Sequence, residues 1–66
     1  MQILLNGEMR RIKDNCNVAA LIQELNLEKK RLAIEVNLEI IPRSQFATHI
    51  LAEGNKVEII HAIGGG

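Results

Sequence analysis

Only one stretch of this chain has the spacing of a helix. Val18, Leu21, Ile22 and Leu25 fall at i, i+3, i+4 and i+7 and form one apolar stripe. Asn17 stands where an N-cap belongs, so the spacing predicts a helix from Val18 to about Leu25 or Asn26. Ala19, Gln23 and Glu24 would face water. A helix this short is not stable alone in water; it forms by laying its stripe on something flat and apolar. The other segments must therefore supply a sheet for that one helix to cover.

They read that way. Gln2 to Asn6 alternates Met1, Ile3 and Leu5 against Gln2, Leu4 and Asn6, and Asn6-Gly7 marks a hairpin whose turn needs positive φ at both central residues. The return strand, about Glu8 to Lys13, carries Arg10, Arg11 and Lys13, the charge protection expected of an edge. Asp14 to Asn17 is a turn cluster. Glu28-Lys29-Lys30-Arg31 is a charged loop, read as a solvated connection with its cations near a helix C-terminus in preference to a docking patch for an acidic partner. Leu32 to Val36 is a third strand, Asn37-Leu38 a turn, and Glu39-Ile40-Ile41 a fourth strand stopped by Pro42, which cannot donate to a ladder. Arg43 to Leu51 is expected to hold a turn or two of helix, with Phe46 and Ile50 closing one end of the core. After a turn at Glu53-Gly54-Asn55, the strand Val57 to Ile63 is rich in β-branched residues. The first and last strands, the least polar, should be central and adjacent. The expected fold is α+β: a ubiquitin-like β-grasp with a mixed five-stranded sheet and one packed helix, formed by residues 1–63, with 64–66 as a flexible C-terminal tail.

Sixty-six residues suffice for one small core, and 47% apolar content offsets the small size. Eight basic residues balance eight acidic ones, and Phe46 is the only aromatic, so there is neither a basic field nor a stacking platform for nucleic acid. No apolar run approaches the roughly 20 residues of a membrane span, and Met1 opens directly on a strand pattern without a leader's charged and apolar segments. One cysteine makes no internal disulfide. A cytoplasmic protein, monomeric when alone, is expected.

The last strand runs into Gly64-Gly65-Gly66. Glycines have no side chains to pack and much conformational entropy to lose, so the expectation is a mobile end, reaching roughly 10 Å when extended. Without β-carbons it could thread a channel too narrow for any other residue. The carboxylate of Gly66, ionised at neutral pH, would then be presented to a partner's active site. The chemistry suited to that group is attack on the α-phosphorus of ATP to give an acyl-adenylate, which a sulfur or nitrogen nucleophile can displace.

Four stretches together resemble the ThiS family of sulfur carriers of thiamine biosynthesis. Met1-Gln2-Ile3-Leu4-Leu5-Asn6-Gly7 looks like its first hairpin, and Val18-Ala19-Ala20-Leu21-Ile22 like its helix start. Ala33-Ile34-Glu35-Val36-Asn37-Leu38-Glu39-Ile40-Ile41-Pro42-Arg43 resembles its Asn-containing stretch closed by Pro-Arg, and Gly54-Asn55-Lys56-Val57-Glu58-Ile59-Ile60 leads to the glycines. Phe46 stands where the family often has Trp, and Asn55 where Asp is common. The resemblance implies a carrier and not an enzyme. A ThiF-type, E1-like adenylyltransferase would use ATP to activate Gly66, with Gly64 and Gly65 in its channel. A cysteine desulfurase or other sulfur donor would supply sulfur, and a ThiG-type thiazole synthase would accept it. The chain itself would bind no cofactor. The same tail would also serve a carrier for molybdopterin, cysteine or tRNA thiolation, or a ubiquitin-like modifier joined to lysine; an interaction module with an idle tail is a third class.

Other candidates carry less. Cys16 precedes the helix, whose dipole could lower its thiol pKa, but carriage on a carboxyl group needs no cysteine, so a structural role is expected. His49 and His61 have no partners at metal-ligand spacing, and His61 is expected to line the root of the tail. Strand alternation sends Leu4, Ile60 and Ala62 to the uncovered face of the sheet. With the first and last strands adjacent, Leu4 and Ile60 are expected to be neighbours in an apolar docking patch.

Overall fold

The computed structural model describes residues 1–61; the expectations placed on Ala62, Ile63 and the three glycines lie outside them. The strands are β1 (Gln2–Leu5), β2 (Glu8–Arg11), β3 (Leu32–Val36), β4 (Glu39–Ile41) and β5 (Lys56–His61), with helix α1 (Val18–Glu24) and a 3-10 turn at Arg43–Gln45. The sheet order is β2-β1-β5-β3-β4. β1 and β5 pair in parallel, and the other neighbours are antiparallel. This is the expected β-grasp, with β5 at the centre and β1 beside it.

Both hairpins close through two-residue turns with left-handed backbone. Asn6 and Gly7 have φ of 48° and 84°, and Asn37 and Leu38 of 51° and 72°. The mirror-image turn they form matches the twist of the flanking strands. Leu38 adopts a backbone region that bulky residues rarely visit. Helix α1 is capped as the residues suggest: the Asn17 side chain accepts the Ala20 N–H at 2.7 Å, and Asn26, at φ 59°, leads the chain away beyond Leu25.

The core lies between α1 and one face of the sheet. Ile3, Val18, Leu21, Ile34 and Val57 are fully buried, and Ile12, Cys16, Ile22, Val36, Ile41, Leu51 and Ile59 complete the cluster. Phe46 packs against its edge. Two expectations need correction here. Ile50 does not close the core; it is 52% exposed and Leu51 is buried in its place. Residues 50 and 51 are extended, with Ile50 bridged to Asn17 and the Leu51 N–H bonded to the Cys16 carbonyl at 2.8 Å, so alternation turns Leu51 inward. β2 ends at Arg11 and not near Lys13, although the Ile12 N–H still bonds the Met1 carbonyl at 2.8 Å.

Candidate functional site

The candidate site is built on β5, the strand that leads to the glycines, and the molecule holds it from both sides. The β1 ladder bonds Leu4 N–H to the Asn55 carbonyl and Asn6 N–H to the Val57 carbonyl, each at 2.9 Å. There β1 turns back, and the side chain of Asn6 continues the ladder: its Oδ1 accepts the Ile59 N–H at 2.8 Å, and its Nδ2 donates to the Ile59 carbonyl at 3.4 Å. On the other flank the Asn37 N–H donates to the Lys56 carbonyl at 2.7 Å, while its Oδ1 accepts the Lys56 N–H at 2.8 Å. The two turn asparagines thus act as short surrogate strands. Neither role was legible in the sequence, where both residues read only as turn formers.

The start of β5 is set by a third asparagine. Asn55 Oδ1 accepts the Ala52 N–H at 2.8 Å, closing the turn that an Asp would close in the same way. Val57 and Ile59 point into the core, and alternation places Glu58 and Ile60 on the uncovered face. His61, the last described residue, is exposed on β5 as expected of the tail root.

The predicted docking patch is only partly assembled. Leu4 is half-buried and Ile60 is 46% exposed, both on the uncovered face, but they are not neighbours. The parallel register pairs Leu4 with Lys56, which leaves Ile60 four residues further along β5. Ile60 instead lies beside Ala33 of β3, and Leu4 beside the exposed Met9 of β2. β1 ends at the hairpin before it reaches the level of Ile60, so adjacency of the strands does not bring these two side chains together. Ala62, the third residue assigned to the patch, lies outside the described residues, as do Gly64, Gly65 and Gly66.

Cys16 is buried, and its thiol donates to the Asn17 carbonyl at 3.5 Å. Burial raises its pKa; Glu24 adds to the rise and Lys13 partly opposes it. The helix start does not activate it, contrary to the lowering considered from its position, and the thiol is a packed part of the core edge. Among the described residues no group of three or more His, Cys, Asp or Glu side chains is placed to hold a metal ion. No described helix is long and apolar enough to cross a membrane.

A five-stranded mixed sheet covered by one helix, with its central strand leading to a run of glycines, defines the ubiquitin-like β-grasp class. The ThiS family model matches residues 3–66, and the chain belongs to that family of sulfur carriers. It is 32% identical to the sulfur carrier protein ThiS of Escherichia coli, with both chains covered in full. It is 41% identical to a thiazole synthase of Paramagnetospirillum magneticum, which matches the whole of this chain but spans it with only 20% of its own length. Among solved structures, the crystal structure of the thiamine biosynthesis protein ThiS from Geobacter metallireducens superimposes with a TM-score of 0.86, at 26% identity, over all of both chains.

Proposed function

We propose that this chain carries sulfur for thiazole formation in thiamine biosynthesis, as a thiocarboxylate on Gly66. The observation that carries the reading is a match to the ThiS family that runs from Ile3 through Gly66. It lies on a fold whose central strand is held by asparagine side chains at its start, where Asn37 bonds Lys56, and further along, where Asn6 bonds Ile59. A firmly held root lets a short, side-chain-free end be aimed by docking the body, so that the ordering cost on entering a catalytic channel is confined to the last few residues.

The chemistry has two stages. A carboxylate oxygen of Gly66 attacks the α-phosphorus of ATP on a ThiF-type, E1-like adenylyltransferase, pyrophosphate leaves, and an acyl-adenylate results. A persulfide, built from cysteine by a desulfurase, then adds through its terminal sulfur to the acyl carbon and displaces AMP. A second thiol cleaves the S–S bond of the resulting acyl disulfide, leaving the thiocarboxylate on Gly66 and a disulfide on the donor. The carboxylate becomes electrophilic only through ATP held by the partner, so the carrier needs no cofactor of its own. A ThiG-type thiazole synthase is the acceptor; two thiazole synthases each match this chain along 20% of their own length, which favours that acceptor over other thiolation pathways.

On the body, the apolar spots at Ile60 with Ala33 and at Leu4 with Met9 serve as contacts for the adenylyltransferase. The reading is tested by intact-mass analysis after incubation with such an enzyme, ATP and a sulfur source. One oxygen should be exchanged for sulfur, with fragmentation locating the exchange at Gly66. A lysine-linked conjugate, or a chain left unchanged, would refute it. Ile60→Lys should keep the fold, since the side chain is largely outside the core, and raise the KM for adenylation; an unchanged KM would remove Ile60 from the contact.

A further inference from the structure

The three terminal glycines carry no side-chain information, so a protein that must tell this carrier from others with the same end has to read the body. The formal net charge is zero, so there is no overall field to guide the encounter, and only local charge can do so. The uncovered face around the end of β5 has such a pattern. Arg31 and Arg43 line a cleft of about 400 Å³ together with Leu32, Ala33 and Ile60. Two residues back along the same strands, Glu35 and Glu58 sit directly opposite each other in the β3–β5 register. Like charges directly opposite on neighbouring strands destabilise a sheet. Neither carboxylate has an ion-pair partner among the described residues, where the one ion pair joins the Met1 ammonium to Asp14. The guanidinium groups are likewise without an ion-pair partner there.

We propose that this face is a docking strip of two signs for the protein that activates Gly66. The Arg31–Arg43 cleft takes a carboxylate side chain of that protein, and the Glu35–Glu58 pair takes one of its cationic side chains. The inference rests on the carrier reading and adds the chemistry of the partner's surface. Activation is the step that commits ATP, so discrimination belongs there. A guanidinium pair in a partly apolar cleft suits a carboxylate, which can accept parallel hydrogen bonds from an Arg fork. Facing carboxylates that repel each other in the free carrier become an attraction for a partner cation and a penalty for any partner lacking one.

The test is ATP–pyrophosphate exchange by the cognate activating enzyme as a function of carrier concentration, at low and at high salt. The variants are R31E/R43E and E35K/E58K. A third, R11E/K13E, changes the net charge as much as the first but at the far edge, in and just beyond β2. Each of the first two should raise KM about tenfold or more at low salt with kcat unchanged, the difference shrinking as salt screens it. The third should stay within about twofold of wild type, as expected of a charge outside the contact. If both strip variants match wild type while wild type is adenylated, the strip is refuted and the carrier reading stands. If they bind the activating enzyme normally and fail only in transfer to the thiazole synthase, the assignment to the activating protein is refuted. If wild-type chain is not adenylated at all, the carrier reading itself fails and the strip falls with it.

Discussion

Replacing Asn6 tests whether the tail's root is held by a side chain. Asn6→Ala removes the acceptor of the Ile59 N–H and the donor to the Ile59 carbonyl. The Ile59 group is partly buried, and leaving such a donor unsatisfied costs about 1–3 kcal/mol. Asn6 also has φ 48°, where an alanine adds roughly 1–2 kcal/mol that asparagine largely avoids. The sum is about 2–5 kcal/mol, a large share of what a small domain has. It corresponds to a fall in Tm of about 15–35 °C at this size. Asn6→Gly loses the same hydrogen bonds without the backbone strain, so it should recover about 1 kcal/mol of the loss. Urea denaturation of the three proteins gives the energies, and amide exchange gives the location: the Ile59 N–H should lose protection in both variants beyond the global change. Equal stability of Asn6→Ala and wild type, or an Ile59 amide that exchanges no faster than its β5 neighbours, would refute the surrogate-strand account.

On the other flank the Lys56 amide is exposed and water can replace the lost acceptor, so Asn37→Gly should lower stability by only about 0.5–1.5 kcal/mol, with faster exchange of the Lys56 amide as its signature. Cys16 should respond little to thiol reagents at neutral pH. Its folded pKa lies above the ordinary value of 9.0, so the native state holds the thiol proton more tightly than the unfolded chain. That contribution is complete below the ordinary thiol pKa and is lost as pH rises through the raised folded value. The stability difference between wild type and Cys16→Ala should therefore narrow above that point, and denaturation at neutral and at strongly alkaline pH checks the sign. Gly65→Val should leave the urea midpoint unchanged and abolish adenylation, because a branched side chain cannot enter a channel shaped for glycine; full activity would show that the partner does not enclose the tail.

What could be read from the sequence was local. The helix stripe, the Asn17 cap and the Asn6-Gly7 turn depend on residues within a few positions of one another, and each formed as expected. The order of the strands followed from polarity, since charged β2 and Pro42-stopped β4 suit edges. Register between β1 and β5 did not follow. These strands are separated by most of the chain, and no turn of fixed length sets their offset, so the neighbours of Leu4 and Ile60 were assigned wrongly. The roles of Asn6 and Asn37 depend on the same long-range offset and were invisible for the same reason. At Ile50 the error was one of period: a helical reading puts residue 50 inward, whereas the extended backbone there turns Leu51 inward.

The register also decides what kind of protein can dock. Had Leu4 and Ile60 touched, one apolar side chain could have covered both. Paired instead with Lys56, Leu4 stands four strand residues from Ile60, about 13 Å at the rise of a strand. On the face between them lie Lys56, opposite Leu4, and Glu58, opposite Glu35. A partner that reaches both apolar spots must cross these charges, and burying them unpaired would cost more than either contact returns. Its surface must therefore be mixed, with cations and carboxylates between its apolar groups. A partner surface that proved uniformly apolar could engage the Ile60 end of β5 but not Leu4, and Leu4→Asn would then leave adenylation untouched.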